Sequence, residues 1–179
     1  GEGKMKWGFA YDWLHDDYFD SITLGQWRVK LAYDWDCTNE IGLWANIPER
    51  SSAAWVDVAG TQGRFERFEA VAQGNFYLRH FWENGAESTH WIGMAEKPGG
   101  FIIGSRGRIP MGNYLSLIGD FNYITPSEGG VNGQDKEMWQ MAIGIEITPG
   151  CRPLGCRDRA STPLLPLANN GTFAVRRTP

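Results

Sequence analysis

Residues 23–36 read Thr-Leu-Gly-Gln-Trp-Arg-Val-Lys-Leu-Ala-Tyr-Asp-Trp-Asp, and their order decides the fold. Trp27, Val29, Leu31, Tyr33 and Trp35 take every second position, with Gln26, Arg28, Lys30, Ala32 and Asp34 between them. Such alternation puts the two sets on opposite faces of a strand, whereas a helix would scatter them around its cylinder. The pattern extends upstream, where Met5, Trp7, Phe9, Tyr11 and Trp13 alternate with Lys6, Gly8, Ala10 and Asp12. It returns near the end, where Trp139, Met141, Ile143, Ile145 and Ile147 alternate with Gln140, Ala142, Gly144 and Glu146.

Weaker stretches lie between. Residues 40–47 put Ile41, Leu43, Ala45 and Ile47 on one side. Residues 64–82 set Phe68, Ala70, Ala72, Phe76, Leu78 and Trp82 against Arg67, Glu69, Gln73, Asn75 and Arg79. That segment is long for one strand and predicts a bulge near Gly74 or a protruding end. Residues 88–95 and 101–109 follow, and residues 113–124 set Leu115, Leu117, Phe121 and Tyr123 against Ser116, Asp120 and Asn122. The expectation is an all-β, antiparallel, up-and-down sheet of about eight strands. Its longer connections, 15–22, 48–63 and 125–136, fall at one end and the short ones at the other. Outer-membrane barrels have that arrangement, with short periplasmic turns and longer external loops.

The chain has 179 residues, enough for one domain with a core. Nine Trp, nine Phe and six Tyr argue against disorder. A net charge of −4 argues against a nucleic-acid partner. Mean hydropathy of −0.39 reads as soluble, but a transmembrane β-barrel hides its apolar residues in alternate positions. Charge divides the chain into an acidic barrel domain, residues 1–150, and an irregular basic tail, residues 151–179, carrying Arg152, Arg157, Arg159, Arg176 and Arg177 against Asp158. Cys151 and Cys156 in that tail are spaced to close a small disulfide in an oxidising compartment, or stand as two thiols. The start at Gly1, without a leader pattern, reads as a processed product or a fragment.

Periodicity does not say whether the aromatic face looks into a core or out into lipid. The composition of the opposite face favours lipid over the core of a soluble barrel or sandwich. Gly8, Ala10, Ala32, Gly42, Ala142 and Gly144 interleave there with isolated charges of both signs. Small residues among opposite charges suit a crowded polar interior, where charges must neutralise one another. The lipid-facing set is therefore Trp7, Phe9, Tyr11, Trp13, Trp27, Val29, Leu31, Tyr33, Trp35, Leu115, Leu117, Phe121, Tyr123, Trp139, Met141, Ile143, Ile145 and Ile147. The lumen-facing polar set is Gln26, Arg28, Lys30, Asp34, Glu69, Gln73, Asp120, Asn122, Gln140 and Glu146. Trp and Tyr near strand ends match an aromatic girdle at headgroup level.

These residues resemble an uncharacterised outer-membrane β-barrel-like family of planctomycete bacteria. The resemblance rests on Tyr11-Asp12-Trp13-Leu14, Asp16-Asp17-Tyr18, Gly25-Gln26-Trp27-Arg28, Phe121-Asn122-Tyr123-Ile124-Thr125-Pro126-Ser127, Glu137-Met138-Trp139, and the tail from Pro166 to Phe173. It implies an exported barrel and carries no catalytic assignment. One departure is the tail, since common outer-membrane barrels end on an aromatic residue of the last strand.

No nucleophile elbow, phosphate loop, dinucleotide fingerprint or zinc-protease motif is present. His15, His80 and His90 fall in different segments. Asp12, His15, Asp16, Asp17 and Asp20 could hold Ca²⁺ but lack the loop signature, and read as a solvated loop. Asn170-Gly171-Thr172 matches a glycosylation acceptor, a triplet common by chance. The expectation is a bacterial outer-membrane protein, not an enzyme, without metal or cofactor. Its partner is lipid, both termini are periplasmic, and its role is structural or porin-like. It acts alone or, on the favoured reading, as one subunit of a larger homo-oligomeric ring. The alternative is a soluble exported β-barrel or sandwich binding an apolar ligand or glycan.

Overall fold

The computed structural model describes residues 4–17, 21–56, 63–96, 100–112, 114–125, 138–147 and 173–178. All regular structure among them is antiparallel β: β1 (Lys4–Asp16), β2 (Ile22–Asp34), β3 (Asn39–Val56), β4 (Arg64–Ala70), β5 (Gln73–Phe81), β6 (Glu87–Ala95), β7 (Gly100–Pro110), β8 (Leu115–Ile124), β9 (Met138–Ile147) and β10 (Val175–Thr178). Eight strands follow one another in the order β1-β2-β3-β5-β6-β7-β8-β9 and curl into a half-barrel. β4 pairs with β3 and β10 beside this path. Among the described residues β1 and β9 do not pair with each other.

The register explains the curl. Trp7 faces Leu31, and the row continues through Leu43, Phe76, Ile92, Ile103 and Tyr123 to Trp139. It starts near the first residues of β1 and finishes near the first residues of β9, at the opposite end of the sheet. Strands that slide past one another in this way tilt, and tilt is what rolls a flat sheet toward a barrel. Every residue in the row is an outward apolar one, so the slide keeps the two faces unmixed.

Two connections differ from expectation. The stretch 48–63 is not all loop, because β3 runs to Val56. A register shift opposite Gly25 and Gln26 lets β3 pass β2, and Ser51–Val56 then pairs with β4 in a hairpin. The long segment 64–82 breaks at Val71–Ala72 and not near Gly74. The break reverses the side-chain phase: Glu66 and Ala70 are buried on β4, but Gln73, Asn75, Tyr77 and Arg79 are buried on β5. Phe76 and Leu78 therefore face outward as expected, while Ala70 is enclosed and Phe68 is half-buried.

The tail is not wholly irregular. Val71 N–H donates to Ala174 O at 2.8 Å, and β10 continues along β4, Val175 opposite Ala70. Arg176 bonds Glu69 with Nε at 2.5 Å, anchoring the tail to the body by charge. Cys151 and Cys156 lie outside the described residues.

Short turns close the other end. In 35–38 the Asp36 carboxylate accepts from the side chains of Asn39 and Thr38 at 2.8 Å each and from both their backbone N–H groups. Those bonds, Asn39 first, hold the carboxyl well below the usual carboxylate range. In 82–86 Gly85 has φ 80°, a conformation glycine takes without strain.

Small inner residues have a specific use. The Trp91 indole lies flat on Gly104 and donates through Nε1 to Asn122 Oδ1 at 3.1 Å, reaching from β6 past β7 to β8. A side chain at 104 would occupy the space of that ring. Gly104→Val is expected to lower stability by about 1–3 kcal/mol through overpacking. The midpoint of denaturant unfolding checks this, and an unchanged midpoint would show that the ring has another place to go.

Candidate functional site: a charged concave face inside an apolar shell

Each strand carries two chemistries, and the curl separates them in space. The residues expected on the lipid side are exposed, except Leu115 and Tyr123, which are half-buried on β8. Trp7 and Ile143, far apart in sequence, are 72% and 71% exposed. Met94, Phe101 and Ile103 extend the apolar surface across the middle strands. A contiguous surface of this kind is unusual for a soluble monomer.

The concave side is largely ionic, with an apolar cluster that includes Tyr77, Trp91, Ile102 and Ile124 beside the charges. Gln26, Arg28, Lys30, Gln73 and Asn122 are buried there, and Asp34, Asp120, Gln140 and Glu146 are half-buried. Glu69 is half-buried on β4 and pairs with Arg176, off the main path. Asp12 accepts from Arg28 Nε at 2.5 Å and NH2 at 2.9 Å, and from Gln26 at 3.0 Å. Lys6 bridges Asp34 at 2.8 Å and Glu40 at 2.6 Å. Lys30 lies 3.4 Å from Glu40 and 4.3 Å above the Tyr77 ring, and Tyr77 O–H donates to Glu40 at 2.8 Å. Further round, Arg79 pairs with Glu87 at 2.6 Å, Arg106 with Asp120 at 3.8 Å and Arg108 with Glu146 at 3.3 Å. Each cation has its anion, so the face is polar without a dominant sign.

Sequence reading set Lys6 and Asp12 between the apolar residues of their strand without naming them as lumen-facing, and it missed Glu40, Tyr77 and Glu87. Tyr77 gives no signal, being an aromatic at a polar-face position. Glu40 and Glu87 are first or second residues of their strands and could be found only once the register is known.

The acidic cluster in the first connection does not converge. Asp12 turns inward to Arg28, while His15 bonds Thr23 at 3.0 Å and Asp17 at 2.9 Å outside. Asp20 lies outside the described residues, and among those described no three His, Cys, Asp or Glu side chains could hold a metal ion. His80 bonds Asn39 at 2.8 Å and His90 bonds Ser105 at 3.0 Å, two cross-strand pairs in separate places.

Between β1 and β9, at the end of the longer connections, lies a cavity of about 460 Å³. β1 supplies Asp12, Trp13 and Leu14, β9 supplies Met138, Trp139 and Gln140, and β8 supplies Asn122 and Ile124. Phe173, Ala174 and Val175 of the tail form the remaining wall.

The arrangement is that of an antiparallel half-barrel turned inside out, apolar on its convex side and ionic on its concave side. The chain belongs to DUF6666, a family of unknown function, whose model matches residues 2–175. No curated protein and no solved structure matches it significantly.

Proposed function

We propose that this protein is a β-barrel of the bacterial outer membrane with a structural role, its convex face against lipid and its ionic face enclosed. The carrying observation is the reversal itself: Trp, Leu and Ile exposed on one face, with Glu40 and Gln26 buried on the other. In water that partition would be costly on both sides; in a bilayer it lowers the free energy on both. The resemblance to planctomycete outer-membrane-like sequences supports the same placement.

Unpaired strand edges cannot face hydrocarbon, so β1 and β9 must find partners there. Their ends share one cavity wall, which favours a seam closing within one chain. A closed barrel of about eight strands has its interior filled by side chains, so this form is an anchor or loop scaffold and not a channel. A second reading, several copies pairing edge to edge around a wetted lumen, is favoured by the absence of β1–β9 pairing among the described residues.

Cell fractionation followed by mass measurement in detergent tests both. The expected result is extraction from outer membranes only by detergent, with a protein mass of one 20.1 kDa chain. A multiple of that mass, with conductance in planar bilayers, would select the ring. Recovery in the aqueous extract would overturn the membrane reading in favour of a soluble exported barrel or sandwich.

A further inference from the structure

The cavity at the seam has the composition of a small-molecule site. Its volume of about 460 Å³ lies within the ~300–1,000 Å³ typical of such sites, which are mostly apolar with a few placed polar groups. Leu14, Ile124, Met138 and Val175 supply the apolar wall. Trp13 and Trp139 also line it and are 64% and 69% exposed.

The polar wall is asymmetric in a way that defines the ligand. Asp12 is taken by Arg28 and Gln26, and Asn122 Oδ1 by Trp91. Gln140, opposite Asn122 in the register, differs: its amide oxygen is buried with no hydrogen-bond partner among the described residues. A buried acceptor left unsatisfied is costly, and its presence in a cavity wall marks a place for a donor. That oxygen is enclosed in the wall, and a donor meets it after rotation about the last torsion of the side chain, which is broad for Gln.

We infer that the seam cavity binds one alkyl chain that ends in a hydrogen-bond donor, the donor meeting the Gln140 amide oxygen and the chain lying against Leu14, Ile124 and Val175. The site does not depend on membrane placement, but it rests on the seam closing within one chain, because β1 and β9 both supply its walls.

Two probes isolate the donor. Dodecylammonium and dodecyltrimethylammonium carry the same chain and charge, but only the first has N–H groups. Native mass spectrometry of the full chain, released from phosphatidylcholine nanodiscs or taken from buffer according to where it is stable, counts bound molecules. The expected result is one dodecylammonium per chain, held about tenfold more tightly than its trimethyl analogue, as one hydrogen bond to a charged group allows. Gln140→Leu should retain the trimethyl probe and lose the preference, so its binding also reports that the variant is folded. Val175→Trp should fill the cavity and abolish both. Equal retention of the two probes by the unaltered chain, a preference that survives Gln140→Leu, or binding unaffected by Val175→Trp would overturn the assignment.

Discussion

Leu31→Arg is expected to block assembly in phosphatidylcholine bilayers, with a loss on the order of 2–4 kcal/mol for Arg at a lipid-facing midplane position. Leu31 is 42% exposed on the convex face, between Trp7 and Leu43 in the register. The same substitution gives a different result in water. At an exposed site of a soluble protein an Arg changes stability by only about 0.5 kcal/mol, because nothing around it must be desolvated. One variant therefore distinguishes the two solvents, read as the yield of folded chain after dilution from urea into vesicles. The companion is Ala32→Ser on the concave face, in register with Gly42 and Tyr77. It adds a single hydroxyl near a polar network and is expected to cost under about 1 kcal/mol. If Ala32→Ser proves the more harmful of the two, the faces have been assigned the wrong way round.

Legibility varied along the chain for physical reasons. The run from Gln26 to Asp34 was readable because its two faces meet different environments, so every second residue carries the signal. The break at Val71–Ala72 was not, since Ala70, Val71 and Ala72 form a short apolar run in which neither face is marked. β10 was invisible for another reason. Four residues of the tail pair with β4 in addition to β3, and nothing local to Val175–Thr178 reveals which edge is available. The inner network lies between these cases. Lys6 could be assigned to a face from its own strand, but its pairing with Glu40 depends on the order β1-β2-β3 and on the register of both pairs. The cavity was the least legible feature, because its walls come from β1, β8, β9 and the tail together.

Glu40→Gln is expected to lower stability by about 3–5 kcal/mol, the cost of removing one partner from a buried ionic cluster. The carboxylate is 1% exposed and receives Lys6, Lys30 and the Tyr77 hydroxyl. The amide keeps the shape and takes away the charge. Lys6 retains Asp34 at 2.8 Å, but Lys30 is left with the face of the Tyr77 ring. Most of the penalty should therefore pass through Lys30. A Lys30→Met change made on the Glu40→Gln background is expected to recover part of the loss, with a coupling of about 0.5–3 kcal/mol in the double-mutant cycle. Glu49 provides the contrast, since it accepts from Tyr11 at 2.8 Å on the exposed side. Added salt screens exposed charges more than enclosed ones, so the Glu40→Gln penalty should change little between low and high ionic strength. Urea unfolding at two salt concentrations measures both quantities. A Glu40→Gln penalty no larger than that of Glu49→Gln, and equally sensitive to salt, would mean that the concave face is open to bulk water and that its charges are not held in a closed interior.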